Sequence, residues 1–114
     1  MIQRKITISP QQTLLEALRL IDGNGLQIVF VVADNNKVLG VITDGDIRRA
    51  LINENSLDNL VKNFMNSDFL YLNGSSLDSH TIEIASQQKL KVLPILDDKA
   101  ILIDLFELNK IDIQ

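Results

Sequence analysis

Ten consecutive residues, Gly40-Val41-Ile42-Thr43-Asp44-Gly45-Asp46-Ile47-Arg48-Arg49, narrow what this chain can fold into. The apolar run before them, Ile28-Val29-Phe30-Val31-Val32-Ala33, has the length of a buried strand. Asp34-Asn35-Asn36 is a polar turn, and Val38 to Ile42 is a second apolar strand. The chain then leaves the sheet at a polar corner and enters a helix over about 45–53. A hydroxyl, two carboxylates, a glycine and two arginines fall at this corner. The first N–H groups of a helix have no intrahelical partner, and its dipole is positive there. Such a corner suits a phosphate and a sugar.

The flanking elements follow from local signals. Lys5-Ile6-Thr7-Ile8 reads as a short strand, broken by Ser9-Pro10. Thr13 and Glu16 have capping-box spacing, and Leu14, Ala17, Leu18 and Ile21 recur at helical spacing. Gly23-Asn24-Gly25 ends that helix with residues that tolerate left-handed geometry. A second round follows. Leu57 to Val61 is predicted as a helical turn, and Leu70-Tyr71-Leu72 as a strand. Asn73 to Ser76 is predicted as a turn and cap, Leu77 to Lys89 as a helix, and Leu93 to Leu96 and Ile101 to Ile103 as strands. Leu105-Phe106-Glu107-Leu108 is expected to start a last helix. The halves read as an internal repeat: Phe30 to Asp34 matches Pro94 to Asp98. Thr43 and Asp46 then match Asp104 and Glu107 if the second strand connection is about three residues shorter.

Composition removes several classes of function. There is no cysteine, so thiol catalysis and cysteine–zinc sites are excluded. The lone His80 cannot build a multi-histidine metal site, and no dedicated metal site is expected. A net charge of −4 and 4% aromatic residues argue against general nucleic-acid binding. No apolar run approaches a membrane span and no signal-peptide pattern opens the chain, so no membrane partner and a cytoplasmic location are expected. Asp78, Ser79 and His80 are adjacent on one helix and point in different directions, so they cannot form a relay.

Val32-Ala33-Asp34, Val38-Leu39-Gly40-Val41-Ile42-Thr43 and Asp46-Ile47 together resemble the signature of the CBS domain, a module named after cystathionine β-synthase. These domains occur in tandem pairs, Bateman modules, that bind adenosine nucleotides and regulate attached enzymes or transporters. The resemblance implies an α+β fold of two CBS repeats, each β-α-β-β-α, packed with pseudo-twofold symmetry. The first repeat would span 1–57 and the second, degenerate one 58–114. Thr43 to Leu51 is similar to pairs found in sugar-phosphate nucleotidyltransferases and in sugar-phosphate isomerases. By resemblance the chain is a non-catalytic regulatory module for AMP, ADP or ATP, forming the N-terminal part of a nucleotidyltransferase. It would act on a catalytic domain in cis or on a partner enzyme, and would form a homodimer. The alternative is a dimerisation module that binds no ligand.

The resemblance also assigns site residues. In similar domains the threonine, here Thr43, contacts phosphate, and the aspartate, here Asp46, holds the ribose hydroxyls. The residues alone favour a plain helix cap. Ile6, Thr7, Ile8, Ile28 and Val29 would wall the base, although periodicity alone places them in the core. Arg48 and Arg49 point about 100° apart on a helix, so one of them at most would meet a phosphate. The other reading for both is a solvated face. A second, weaker site would involve Val92, Leu93, Pro94, Asp104 and Glu107. There a carboxylate near a phosphate would cost about 4 kcal/mol at an effective dielectric near 20. That site would hold an uncharged nucleoside, a metal-bridged phosphate or nothing.

Overall fold

Thr13 opens the first helix as its spacing predicts. In the computed structural model, which describes residues 5–108, its hydroxyl accepts from the Glu16 N–H at 3.2 Å. Its own N–H donates to the Glu16 carboxylate at 2.9 Å. Helix α1 (Leu14–Asn24) closes on Gly25 at φ 71°, the left-handed conformation that glycine adopts without strain. Around it lie β1 (Thr7–Ile8), β2 (Ile28–Val32), β3 (Val38–Thr43) and α2 (Asp44–Ile52). β2 is the central strand, parallel to β1 and antiparallel to β3. Side chains alternate across a strand. Ile8, Val29, Val31 and Ile42 therefore turn to the helices and join Leu14, Ala17, Ile21, Ile47 and Ala50 in one core. Thr7, Ile28, Phe30, Val41 and Thr43 take the other face of the sheet.

The chain divides into two compact units between Asp68 and Phe69. The expected repeat boundary lies earlier, at 57/58, yet the intervening segment packs on the first unit. Leu14 N–H donates to Asn59 O and Val61 N–H to Gln12 O. Val61 is fully buried in the first core, at the start of a 3-10 turn over Val61–Asn63. The helical turn expected at 57–61 is thus displaced to the point where Val61 finds the core. Asn66 then pairs with Val41 through both N–H···O bonds, at 2.8 and 2.9 Å. Gly40 allows this close approach, since a Cβ there would sit 2.8 Å from the Asn66 carbonyl.

The second unit contains β4 (Leu72–Asn73), α3 (Ser79–Gln87), β5 (Val92–Leu96) and β6 (Leu102–Glu107), with β5 central. Its core gathers Leu72, Ala85, Leu93 and Leu108. The cap of α3 is Asp78, not the Asn73–Ser76 stretch. Its carboxylate accepts from the His80 N–H at 3.1 Å and the Thr81 hydroxyl at 2.8 Å, which starts the helix two residues later than predicted.

The two units repeat with a constant shift of 64 residues. Ile8↔Val31 recurs as Leu72↔Ile95, Val31↔Gly40 as Ile95↔Asp104, and Ile28↔Thr43 as Val92↔Glu107. The expected shortening of the second strand connection is therefore overturned. The turn bonds recur as well, Ala33 N–H to Lys37 O and Asp97 N–H to Ile101 O. The misreading has a physical cause. The left-handed turn position, Asn36 at φ 70° in the first turn, is Ala100 at φ 66° in the second. Alanine does not announce such a turn. Asp97 supports it instead, its carboxylate accepting from the Lys99 and Ile101 N–H groups. The expected helix at 105–108 is likewise corrected: strand β6 runs on to Glu107. Residues 109–114, where the predicted helix would continue, lie outside the described residues.

One buried polar side chain ties the first unit together. Asn24, 6% exposed, donates through Nδ2 to the Lys5 and Ile28 carbonyls and accepts from the Leu26 N–H. Asn24→Ala leaves these groups unpaired and is expected to cost about 1–3 kcal/mol in urea unfolding. A second expectation concerns acid. Hydrogen bonds from the Thr13 backbone to Glu16, and from the Thr81 hydroxyl to Asp78, hold both carboxyls below their ordinary range. A depressed folded-state value gives stability present above the unfolded-state value and lost as pH falls through the folded one. The melting temperature should therefore fall below about pH 4, and this acid limb should flatten in Glu16→Gln and Asp78→Asn.

Candidate functional site

The polar corner is built where β3 ends. Thr43 is the last residue of β3 and the cap of α2: its hydroxyl accepts from the Asp46 N–H at 3.1 Å. The Asp46 carboxylate returns the contact, its Oδ2 accepting from the Thr43 N–H at 2.9 Å. Asp44 N–H donates to Gln27 O at 3.2 Å, which anchors the first residue of α2 to the residue before β2. The corner is thus fixed by its own backbone and side chains.

The two arginines separate. Arg49 Nη2 donates to Asp46 Oδ1 at 2.8 Å, and its guanidinium lies over Gly45. A Cβ at Gly45 would stand 3.5 Å from Nη1 and 3.7 Å from both Nη2 and the Thr43 hydroxyl. Arg48 instead leans toward Asp44, at 3.9 Å, and makes no bond to Asp46. Asp46 is 23% exposed and Arg49 69% at the side chain, so the carboxylate is sheltered while its partner stands in solvent.

The proposed base wall divides as the strand alternation requires. Ile28 faces Thr43 across the β2–β3 ladder, and Thr7 lies on the same face beside Phe30. Ile8 and Val29 turn to the opposite side, into the helix-packed core, so their side chains cannot share a surface with Thr43. Ile6 offers its carbonyl to the Phe30 N–H at 2.8 Å. The structure joins Thr43, Asp46 and Arg49 through hydrogen bonds, sets Ile28 beside Thr43 in the ladder, and puts Thr7 on the same sheet face.

The second set is not brought together. Asp104 pairs with Ile95 and Glu107 with Val92 in the same strand. Three residues apart in a strand means opposite faces, so they do not repeat the Thr43–Asp46 pair. The constant shift sets Glu107 opposite Thr43's position, Asp104 at that of Gly40, and Lys110, outside the described residues, at that of Asp46. Ile101, at the start of the predicted strand, corresponds to Lys37 in the turn. The Asp104 carboxylate accepts from the Leu105 N–H at 2.7 Å, where the first unit uses Asn66 to satisfy Val41. Leu93 is core and Pro94 is buried in mid-strand, where it supplies no N–H to match that of Phe30.

Sequence reasoning missed two positions. Gly45 is the residue over which the Arg49 guanidinium folds, and its signal was the glycine between two aspartates. Asn24 ties the carbonyls of Lys5, just before β1, and Ile28, the first residue of β2. Its buried role has no signature beyond a helix-ending Gly-Asn-Gly. Among the described residues no group of three or more His, Asp or Glu could hold a metal ion. No helix of the described residues is long and apolar enough to cross a membrane.

Known proteins share this architecture. Residues 1–53 match the family model described as CBS domain. The crystal structure of the CBS domain pair of protein MJ0100, in complex with 5′-methylthioadenosine and S-adenosyl-L-methionine, superposes at a TM-score of 0.78 with 18% identity, covering 97% of this chain and 87% of that one. CBSX2 in complex with AMP gives 0.76 with 21% identity, over 92% and 82%. The chain therefore has the fold of a CBS domain pair, its first half matching the family model. Among curated relatives, an uncharacterized protein of Helicobacter pylori strain J99 is 30% identical over 91% of this chain. Arabinose 5-phosphate isomerase GutQ of Escherichia coli is 32% identical over 84%. The chain spans about a third of the length of these two relatives, 32% and 29%.

Thr43→Ala removes the hydroxyl of the α2 cap and should destabilise the chain by about 0.5–2 kcal/mol in urea unfolding. Thr43→Ser should restore most of that loss, because it keeps the acceptor for the Asp46 N–H.

Proposed function

We propose that this chain is a regulatory adenosine-nucleotide-binding module with one functional site, at the Thr43–Asp46 corner. The observation that carries the reading is the sheltered Asp46 carboxylate beside the Thr43 hydroxyl, on a fold whose similar structures hold AMP or 5′-methylthioadenosine and S-adenosyl-L-methionine. A carboxylate accepts two hydrogen bonds from the vicinal diol of a ribose. The threonine hydroxyl and the first N–H groups of α2 suit a phosphate. Thr7 and Ile28 stand on the same sheet face for the base. Among the described residues the second unit offers no matching pair, which favours a single site.

The module itself supplies no catalytic group. It serves a longer protein that handles sugar phosphates, either a nucleotidyltransferase, which the Thr43 to Leu51 stretch resembles, or an isomerase, as in the GutQ relatives. Binding biases the attached catalytic domain through different affinities for two states. The chain acts in the cytoplasm as a homodimer, without nucleic acid or membrane as partner. Leu51 and Ile52, 42% and 72% exposed on α2, are apolar side chains that a dimer contact would cover.

Thermal unfolding against AMP, ADP, ATP and S-adenosyl-L-methionine tests this reading. A ligand at a hundredfold excess over its dissociation constant adds about 2.7 kcal/mol. One of these compounds is expected to raise the midpoint in the natural chain and to fail in Asp46→Ala. A flat panel at millimolar ligand would make the chain a ligand-free dimerisation module and the corner a helix cap.

A further inference from the structure

We infer that Arg49 is a positioning residue that sets the preference of this site for ribose over 2′-deoxyribose; the inference rests on the proposal that Asp46 receives the sugar. An ionised carboxylate has about four lone-pair directions, two on each oxygen. The structure shows one on each already taken. Oδ2 accepts from the Thr43 N–H at 2.9 Å, and Oδ1 from Arg49 Nη2 at 2.8 Å. One direction remains on each oxygen, and a vicinal diol brings two O–H donors. With both oxygens anchored, the carboxylate plane is fixed before the sugar arrives. With the Thr43 bond alone, Oδ1 is free to swing about the remaining anchor.

The local sequence makes the second anchor available. The Arg49 guanidinium lies over Gly45, where an added Cβ would make ordinary van der Waals contact with it at 3.5 Å. Arg48 supplies an internal comparison. It is similarly exposed and next in sequence, but it leans on Asp44 and leaves Asp46 untouched. An exposed ion pair adds little to stability, so the Asp46–Arg49 bond serves orientation more than folding.

The test compares AMP and 2′-deoxy-AMP binding by titration calorimetry in the natural chain, Arg49→Met and Arg48→Met. The natural chain is expected to prefer AMP by about tenfold or more, the worth of a hydrogen bond to a charged acceptor. Arg49→Met should bring that ratio close to one by weakening AMP far more than 2′-deoxy-AMP, while the ligand-free melting temperature stays unchanged. Arg48→Met should keep the natural ratio. An unchanged ratio in Arg49→Met overturns the inference. Equal loss of both nucleotides also overturns it, since Arg49 would then meet the phosphate. Binding of neither nucleotide by the natural chain defeats the nucleotide reading itself and the inference with it, whereas AMP binding with no ribose preference overturns only the role given to Asp46 and Arg49.

Discussion

The reciprocal hydrogen bonds between Thr43 and Asp46 hold the point on which the first unit depends. There the chain stops being a strand and becomes a helix, and both orphan donors of the corner are satisfied in the same act. That exchange fixes the direction of α2, which lets Ile47 and Ala50 reach the sheet and close the core against Val29, Val31 and Ile42. It also leaves a hydroxyl and a carboxylate side by side at the rim. Structure and candidate chemistry therefore use the same atoms, which is why a capping reading and a ligand reading both fit these residues.

The second unit shows what happens without that exchange. The ladder keeps the register of the first unit through Glu107, but the position of Thr43 carries a carboxylate in place of the hydroxyl, and in the sequence the position of Asp46 falls to a lysine, Lys110. Asp104 stands where Gly40 admits Asn66, and its carboxylate satisfies the next N–H instead. The strand framework survives because its apolar alternation is intact. The corner chemistry does not, because it needed a particular hydroxyl–carboxylate pair.

Much of this was legible in the residues. The Thr13–Glu16 box, the Gly25 stop, β2, β3 and the start of α2 each carry a local signal with a physical meaning, and each is found within a residue or two. The second half was harder. Its turn uses Ala100 in a left-handed conformation held by Asp97, which hides the turn, so from sequence the strand ends at Ile103 and the repeat reads three residues short. From that one slip came the pairing of Asp104 with Glu107 and the helix placed over the end of β6. Face alternation could have separated Ile8 and Val29 from Thr43, since neighbouring residues of a strand point to opposite faces. The Arg49–Asp46 bond was not legible, because side-chain choice between two neighbouring carboxylates is decided in three dimensions.

The central claim is one nucleotide site per chain, at the Thr43–Asp46 corner. Equilibrium dialysis of radiolabelled AMP against a known concentration of the chain addresses it directly, because it counts bound ligand. The account predicts saturation near one AMP per chain, abolished by Asp46→Ala and untouched by Glu107→Ala. Saturation near two, or full binding in Asp46→Ala, would contradict it.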